Sequence, residues 1–411
     1  MKKNFLMLAV LASAVIAGCN KTPDGPETYT ATITLEAEEG VTIPDDIEFN
    51  VVAINFDTKQ ETTVKAENNV AEVNGLIAGN YTFMASAKQS SESGAQQTLY
   101  SGALTNVSIL KDEELTMKIG TTKLSTLVLK ELFYNAGKTE AGKVYMKDQF
   151  YEIYNNSEEV VYADGLCFGH LTPEQATGKM NYEWPDEYPT DKYVFFNRIM
   201  QIPGKVGDKK YPVAPGESII LCQYATNHTI ADLNPNSIDL SSCEFEYYEK
   251  TNIAHTDEAA INLNMVYPIN PSSPYKIWTI TAFGPAMAMF FPEEEFSVDK
   301  VASDKNYPTV QAYPVPVSLI LDAVEAIHDE TQVKNKRVPA SLDAGYIWVV
   351  DDAGEPALQV GKSIVRKVAE TREDGRVILQ DTNNTTNDFE LKKREIRRYG
   401  AKAPAWNTWA K

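Results

Sequence analysis

The chain is expected to be mainly β, a small β-sandwich followed by a larger β domain with long inserts. Three observations predict this. Thr30, Thr32 and Thr34 alternate with Ala31, Ile33 and Leu35, the period-two pattern of a half-buried strand. Short strand-like runs separated by turn residues continue to Ile119. From Thr126 onward, longer apolar runs are again bounded by glycine, proline and asparagine.

In the first region, strands are expected at Phe49 to Phe56, Glu61 to Val64, Val70 to Val73, Asn80 to Lys88, Gln97 to Leu104 and Glu114 to Ile119. Strands of this length and spacing suit a small sandwich. Gly75-Leu76-Ile77-Ala78-Gly79-Asn80-Tyr81-Thr82-Phe83 sharpens the assignment, because its glycines permit a tight turn and Tyr81 and Phe83 then share one face of the next strand. The segment resembles the Leu-x-x-Gly-x-Tyr corner of carboxypeptidase-regulatory-like and related prealbumin-like domains. That resemblance covers about a hundred residues and implies a spacer or stalk.

The second region opens with Thr126-Leu127-Val128-Leu129-Lys130-Glu131-Leu132-Phe133-Tyr134. A glycine-containing loop follows, then Asp148-Gln149-Phe150-Tyr151-Glu152-Ile153-Tyr154-Asn155-Asn156-Ser157 and the turn Ala163-Asp164-Gly165-Leu166. This order resembles the start of a lamin-tail-like domain, an Ig-like β fold. Val213 to Leu221, with its Pro215-Gly216 turn, Leu321-Asp322-Ala323-Val324-Glu325, Gly361 to Arg366 and Asp381 to Asn384 keep the same order of elements. The excess over a compact domain of that kind sits near 169–210 and 223–316, and both inserts are expected to emerge as long loops on the scaffold. The whole is similar to a family of two-domain surface lipoproteins from Bacteroidetes-type bacteria.

Ahead of these domains lies a short export leader. Lys2-Lys3, an apolar run from Phe5 to Ile16 and the small residues Ala17-Gly18 before Cys19 form a secretory signal over residues 1–18. The ending resembles a bacterial lipobox, which implies that Cys19 is lipidated. Each buried CH₂ of such a lipid contributes about 0.8 kcal/mol, and stable anchoring takes more than one chain. Residues 19–28, with two prolines and a glycine, read as a tether. The expected order is therefore leader 1–18, tether 19–28, β-sandwich 29–121 and lamin-tail-like domain 122–411.

The formal charge of −19 becomes −21 once the leader is removed. So acidic a surface argues against nucleic acid and against broad contact with anionic lipid, since both repel it. After lipidation three cysteines remain, Cys167, Cys222 and Cys243. They permit one disulfide, with the pair left open, or three small buried hydrophobes. The hydrophobic content of 43% supports real cores, and no run after the leader is long enough to cross a bilayer.

Catalytic patterns are weak. The four histidines, His170, His228, His255 and His328, have no partner at metal-ligand spacing. There is no Gly-x-Ser-x-Gly elbow, and Gly216-Glu217-Ser218 leads directly into an apolar strand. Asp322 with Glu325, Asp351 with Asp352, and Glu293-Glu294-Glu295 invite a glycosidase or calcium reading, but lack the cleft pairing or alternating ligand loop those sites need. Ala286-Met287-Ala288-Met289-Phe290-Phe291 reads as a buried strand.

Aromatic residues in the inserts are the better functional signal. Tyr182, Trp184, Tyr188, Tyr193, Phe195 and Phe196 fall within fifteen positions, and Tyr247-Tyr248 and Tyr267 to Trp278 form a second group. Tyr and Trp on loops of a rigid scaffold give large contact for little lost entropy. Tyr182, Trp184, Tyr188, Tyr193 and Trp278 are therefore the candidate contacts, set against the reading that such rings pack the inserts. The basic run Lys392 to Arg398, followed by Trp406 and Trp409, either caps the domain edge or touches a partner.

The expected function is that of a lipid-anchored, non-enzymatic binding or adaptor protein of the cell envelope, without catalytic residues, metal or cofactor. The family resemblance implies an outer-membrane lipoprotein working beside a TonB-dependent transporter or another surface protein. The alternatives are an exported hydrolase acting on glycans or peptides through insert carboxylates, and a purely structural surface component.

Overall fold

The computed structural model of the chain describes residues 27–91, 93–94, 96–176, 182–250, 256–267 and 278–408. The leader, Cys19, most of the tether, His255 and Trp409 lie outside these residues. The chain is mainly β and divides into two compact units, residues up to 88 with 99–122, and residues 89–98 with 123 onward.

The first unit is built from β1 (Thr28–Ala37), β2 (Asn50–Asn55), β3 (Glu61–Lys65), β4 (Val70–Ile77), β5 (Gly79–Ser90), β6 (Gln96–Ile109) and β7 (Glu113–Ser125). Their order is β3-β2-β5-β6-β7-β1-β4, with β1 parallel to β7 and antiparallel to β4. The edge strands β3 and β4 also meet, so the sheet curls around one core. Ala31, Ile33 and Leu35 point into that core while Thr30, Thr32 and Thr34 stay half-exposed, as the alternation requires. At the β4–β5 corner Gly75 takes φ +75°, a conformation that favours glycine. Tyr81 and Phe83 then stack in the core with centroids 5.9 Å apart, and the Tyr81 hydroxyl donates to the Ile77 carbonyl at 3.0 Å.

The second unit holds two larger sheets. One runs in the order Ile261–Asn262, Phe245–Glu246, Ser218–Cys222, Phe150–Asn155, Leu127–Phe133, Lys362–Arg366, Phe389–Lys393. The other runs Ala302–Ser303, Gln311–Pro316, Tyr193–Gln201, Cys167–Leu171, Ala286–Phe290, Ile320–Glu325, with Asn264–Tyr267 also paired to Tyr193–Gln201. Leu129, Tyr151, Ile153 and Leu221 of the first sheet share a buried core with Phe168, Met200, Met287 and Met289 of the second. Each fully buried side chain of this size contributes about 1.5–3 kcal/mol relative to exposure.

The inserts near 169–210 and 223–316 are not simply loops. They supply Tyr193–Gln201, Asn264–Tyr267, Ala286–Phe290, Ala302–Ser303 and Gln311–Pro316, five strands of the second sheet. The physical reason lies in their apolar runs. Val194 and Phe196 bury on one face of their strand and Phe195 on the other, leaving no side for solvent.

The opposite face of the first sheet is charged and nevertheless buried. Lys130, Glu131, Glu152, Ser218, Glu244 and Ser363 are all inaccessible to solvent. A register shift between Glu152 and Ile153 sets Glu131 opposite Glu152 and Leu129 opposite Ile153, which makes Lys130 the extra residue of a β-bulge. Leu129 and Leu132 can therefore both reach the core while Lys130 and Glu131 both turn away from it. Residues 394–407 lie across this charged face. Arg398 bonds Glu131 at 3.1 Å, and its carbonyl accepts from Lys130 at 2.6 Å. The Arg397 guanidinium pairs with Glu244. The basic run thus caps the sheet with the counter-charges that its buried acids require.

Candidate functional site

Four of the five candidate aromatics gather at one place. Trp184 lies flat on Phe195, centroids 4.3 Å apart and planes 8° from parallel, and both are buried. Tyr182 meets Trp184 edge-on at 5.7 Å, and Tyr188 meets Tyr193 edge-on at 5.2 Å, these three tyrosines remaining partly exposed. Aromatic pairs in these geometries contribute about 0.5–1.5 kcal/mol beyond area burial.

Two proline turns set the loop. The Pro185 carbonyl accepts from the Tyr188 amide at 2.9 Å, and the Pro189 carbonyl accepts from Lys192 at 3.0 Å and Tyr193 at 3.1 Å. Tyr193 enters its strand on the same side as Phe195, so the pairing with Gln311–Pro316 fixes both rings.

A second loop completes the face with residues that the sequence pattern missed. The buried Asp304 carboxylate accepts from the amides of Glu183, Asn306 and Tyr307, the last two at 2.9 and 2.6 Å. This clip holds Tyr307, 51% exposed, edge-on to Tyr182 at 6.2 Å. Lys305 reaches Asp186 at 2.6 Å and holds that carboxyl below its usual range. Burial, followed by the charge of Asp304, pushes the Tyr182 hydroxyl up, and burial followed by Glu187 does the same to Tyr188. The face therefore offers neutral phenols over a stacked apolar base, with acids at its rim. Tyr307 lies more than a hundred positions from Tyr182, and the only local signal was the turn-forming sequence Asp304-Lys305-Asn306-Tyr307-Pro308.

Trp278 is placed elsewhere. It is 1% exposed between the two sheets, with Tyr151 at 5.8 Å and Phe168 at 5.7 Å. Ile280, two positions on, joins the same core, so the alternation of a strand-like segment turns Trp278 inward and makes it a packing residue.

The other candidates fall apart spatially. His170 bonds the Tyr151 hydroxyl at 2.8 Å, His228 bonds Tyr145 at 2.7 Å, and the His328 ring lies against Phe283. Burial lowers both buried imidazoles, His228 to about 4. Among the described residues no group of three His, Cys, Asp or Glu could hold a metal ion. Asp322 is paired with Arg366, Glu325 with Arg337 at 2.8 Å and Asp352 with Lys362 at 2.8 Å. Cys167, Cys222 and Cys243 are buried and outside any disulfide, each thiol pushed up by burial. Met287 and Met289 pack the core.

The molecule is thus a mainly β protein whose candidate site is a surface of ordered rings. The chain belongs to the DUF4876 family. The profile of that family, described as a protein of unknown function, matches residues 214–396. A solved DUF4876 family protein from Bacteroides thetaiotaomicron VPI-5482 is 32% identical, with 92% of this chain and 99% of that chain covered and a TM-score of 0.64. A candidate adhesin from Bacteroides ovatus ATCC 8483 is 8% identical over 75% of this chain and 91% of that one, at a TM-score of 0.22. No curated protein matches the chain.

Proposed function

We propose that this protein is a lipid-anchored, non-enzymatic binding or adaptor protein of the cell envelope, and that the face formed by Tyr182, Tyr188, Tyr193 and Tyr307 contacts its partner. The observation that carries this reading is the fixed, partly exposed set of four phenols on the Trp184–Phe195 stack. Rings already held by packing lose little entropy on binding, and Tyr is enriched at contact centres for that reason. The leader and Cys19 supply the anchor in this account, with a prealbumin-like spacer raising a lamin-tail-like domain. A TonB-dependent outer-membrane transporter is the partner class that the resemblance favours.

Anchoring is tested by labelling cells with a palmitate analogue. The wild-type chain should incorporate label and sediment with membranes, whereas Cys19→Ser should do neither. Equal membrane recovery of both forms would refute the anchor.

A further inference from the structure

One end of the first unit gathers the features of a membrane contact, an inference that rests on the Cys19 anchor proposed above. The chain enters β1 at Thr28, which stands opposite Ile77 at the end of β4. The β2–β3 turn lies at the same end, because the Phe56 amide donates to the Asn80 carbonyl at 2.8 Å beside the β4–β5 corner. The β6–β7 turn lies there too. β7 runs parallel to β1 with Glu113 opposite Ala31, and the Thr30 amide donates to Asp112 Oδ1 at 2.8 Å. Three turns thus surround the point where the chain arrives from Cys19.

Two of those turns present large apolar side chains to solvent. Phe56 and Leu110 are each 66% exposed, more than any other large apolar residue described in the first unit. Either alone would be ordinary on a protein surface. Their joint position at the tethered end is what points to lipid. The corner between them in sequence adds the half-buried Ile77 and the exposed Ala78.

Charge agrees with this placement. Lys59 Nζ donates to the Phe56 carbonyl at 2.6 Å and lies 4.5 Å from the centre of the Phe56 ring. A lysine stem covers apolar surface while its ammonium stays at the level of water and phosphate. In the turns 56–60 and 110–112, Lys59 and Lys111 balance Asp57 and Asp112, so these tips lack the acidic excess of the whole chain.

The tether supplies proximity. Fully extended, residues 19–27 span at most about 30 Å, so a lipid on Cys19 keeps Thr28 within that distance of the bilayer. The contact is then made within one anchored molecule and needs little affinity of its own.

We infer that the turns at Phe56 and Leu110 touch a lipid bilayer, both side chains entering the headgroup boundary while Lys59 and Lys111 remain at the phosphates. The contact is local and apolar, so it requires no anionic lipid. The β3–β4 turn around Glu67 stands at the other end, since Lys65 pairs with Asn50 at the far end of β2. The eight residues of β4 separate the two ends by about 25 Å.

The test uses the full-length chain recovered from cells and reconstituted in phosphatidylcholine vesicles. An environment-sensitive fluorophore is placed on Thr58→Cys, Lys111→Cys or Glu67→Cys, all exposed positions, while the three described native cysteines are buried. The chain is expected to float with the vesicles. Brominated phosphatidylcholine should quench the labels at 58 and 111 at least twofold and leave the label at 67 unchanged. Phe56→Ser combined with Leu110→Ser, which spares the core, should reduce quenching at 58 to the level seen at 67 with flotation kept.

Flotation with equal quenching at 58 and 67, or quenching at 58 that survives the double substitution, would overturn the contact and leave the anchor standing. Loss of flotation in the unsubstituted chain would overturn the anchor itself, and this orientation with it.

Discussion

Glu131 and Glu152 stand directly opposite one another on paired strands, and both are fully buried. Two like charges in that position would oppose strand pairing. The bulge at Lys130 resolves the conflict, because it brings an ammonium within 2.7 Å of Glu152 on the acidic face. Arg398 takes Glu131, and the hydroxyls of Ser218 and Ser363 donate to Glu152 and Glu131 respectively. The face folds because the final segment of the chain closes it.

Breaking this arrangement from either side should be costly. Lys130→Met or Arg398→Ala leaves a buried carboxylate without its cation and is expected to destabilise the second unit by about 3–5 kcal/mol. Urea denaturation measures the loss. Lys65→Ala, which breaks only the exposed pair with Glu48, should leave the midpoint unchanged.

Glu246 is expected to titrate far from an ordinary carboxyl. Burial raises it from 4.5 to about 7 despite hydrogen bonds from the Ala225 and Glu258 amides. The folded state therefore holds this proton more tightly than the unfolded state. Its contribution to stability, about 3 kcal/mol by linkage, is full below pH 4.5 and lost as pH rises through 7. Carbon-13 carboxyl NMR should find a midpoint near 7; a midpoint near 4.5 would contradict the burial argument.

The aromatic candidates should separate into two classes by mutation. Trp184→Ala and Trp278→Ala remove buried rings and are each expected to cost about 3–5 kcal/mol. Tyr307→Ala removes a half-exposed ring and should leave the thermal midpoint nearly unchanged. Differential scanning calorimetry on the three variants distinguishes them.

The thiols should be silent in the native protein. Cys167, Cys222 and Cys243 are buried, and burial disfavours the reactive thiolate. A chromogenic disulfide reagent is expected to report none of them until denaturant is added. Prompt reaction of any one in the folded chain would place it nearer the surface.

Much of the fold was legible because local rules decided it. The threonine–apolar alternation of β1 fixes its buried face, and the apolar run Ala286–Phe290 can only be a strand enclosed on both sides. The role of Lys392 to Arg398 was not legible, since the buried acids that pair with Arg394, Arg397 and Arg398 lie more than a hundred positions upstream and become neighbours only in the folded chain. The tyrosine cluster was half legible for the same reason. Tyr182, Trp184, Tyr188 and Tyr193 share one segment, while the Asp304 clip and Tyr307 arrive from another. Trp278 misled because composition marks an aromatic group but not the side on which a particular ring is buried.

The most direct test of the proposed function is quantitative recovery of outer-membrane proteins with the affinity-tagged full-length chain. Wild type would be compared with a variant carrying Tyr182→Ala, Tyr188→Ala, Tyr193→Ala and Tyr307→Ala, each checked for an unchanged fold by circular dichroism. The account expects one outer-membrane protein to be recovered in constant ratio with wild type and at least tenfold less with the variant. Equal recovery with both, or recovery of wild type as a free lipoprotein, would contradict it.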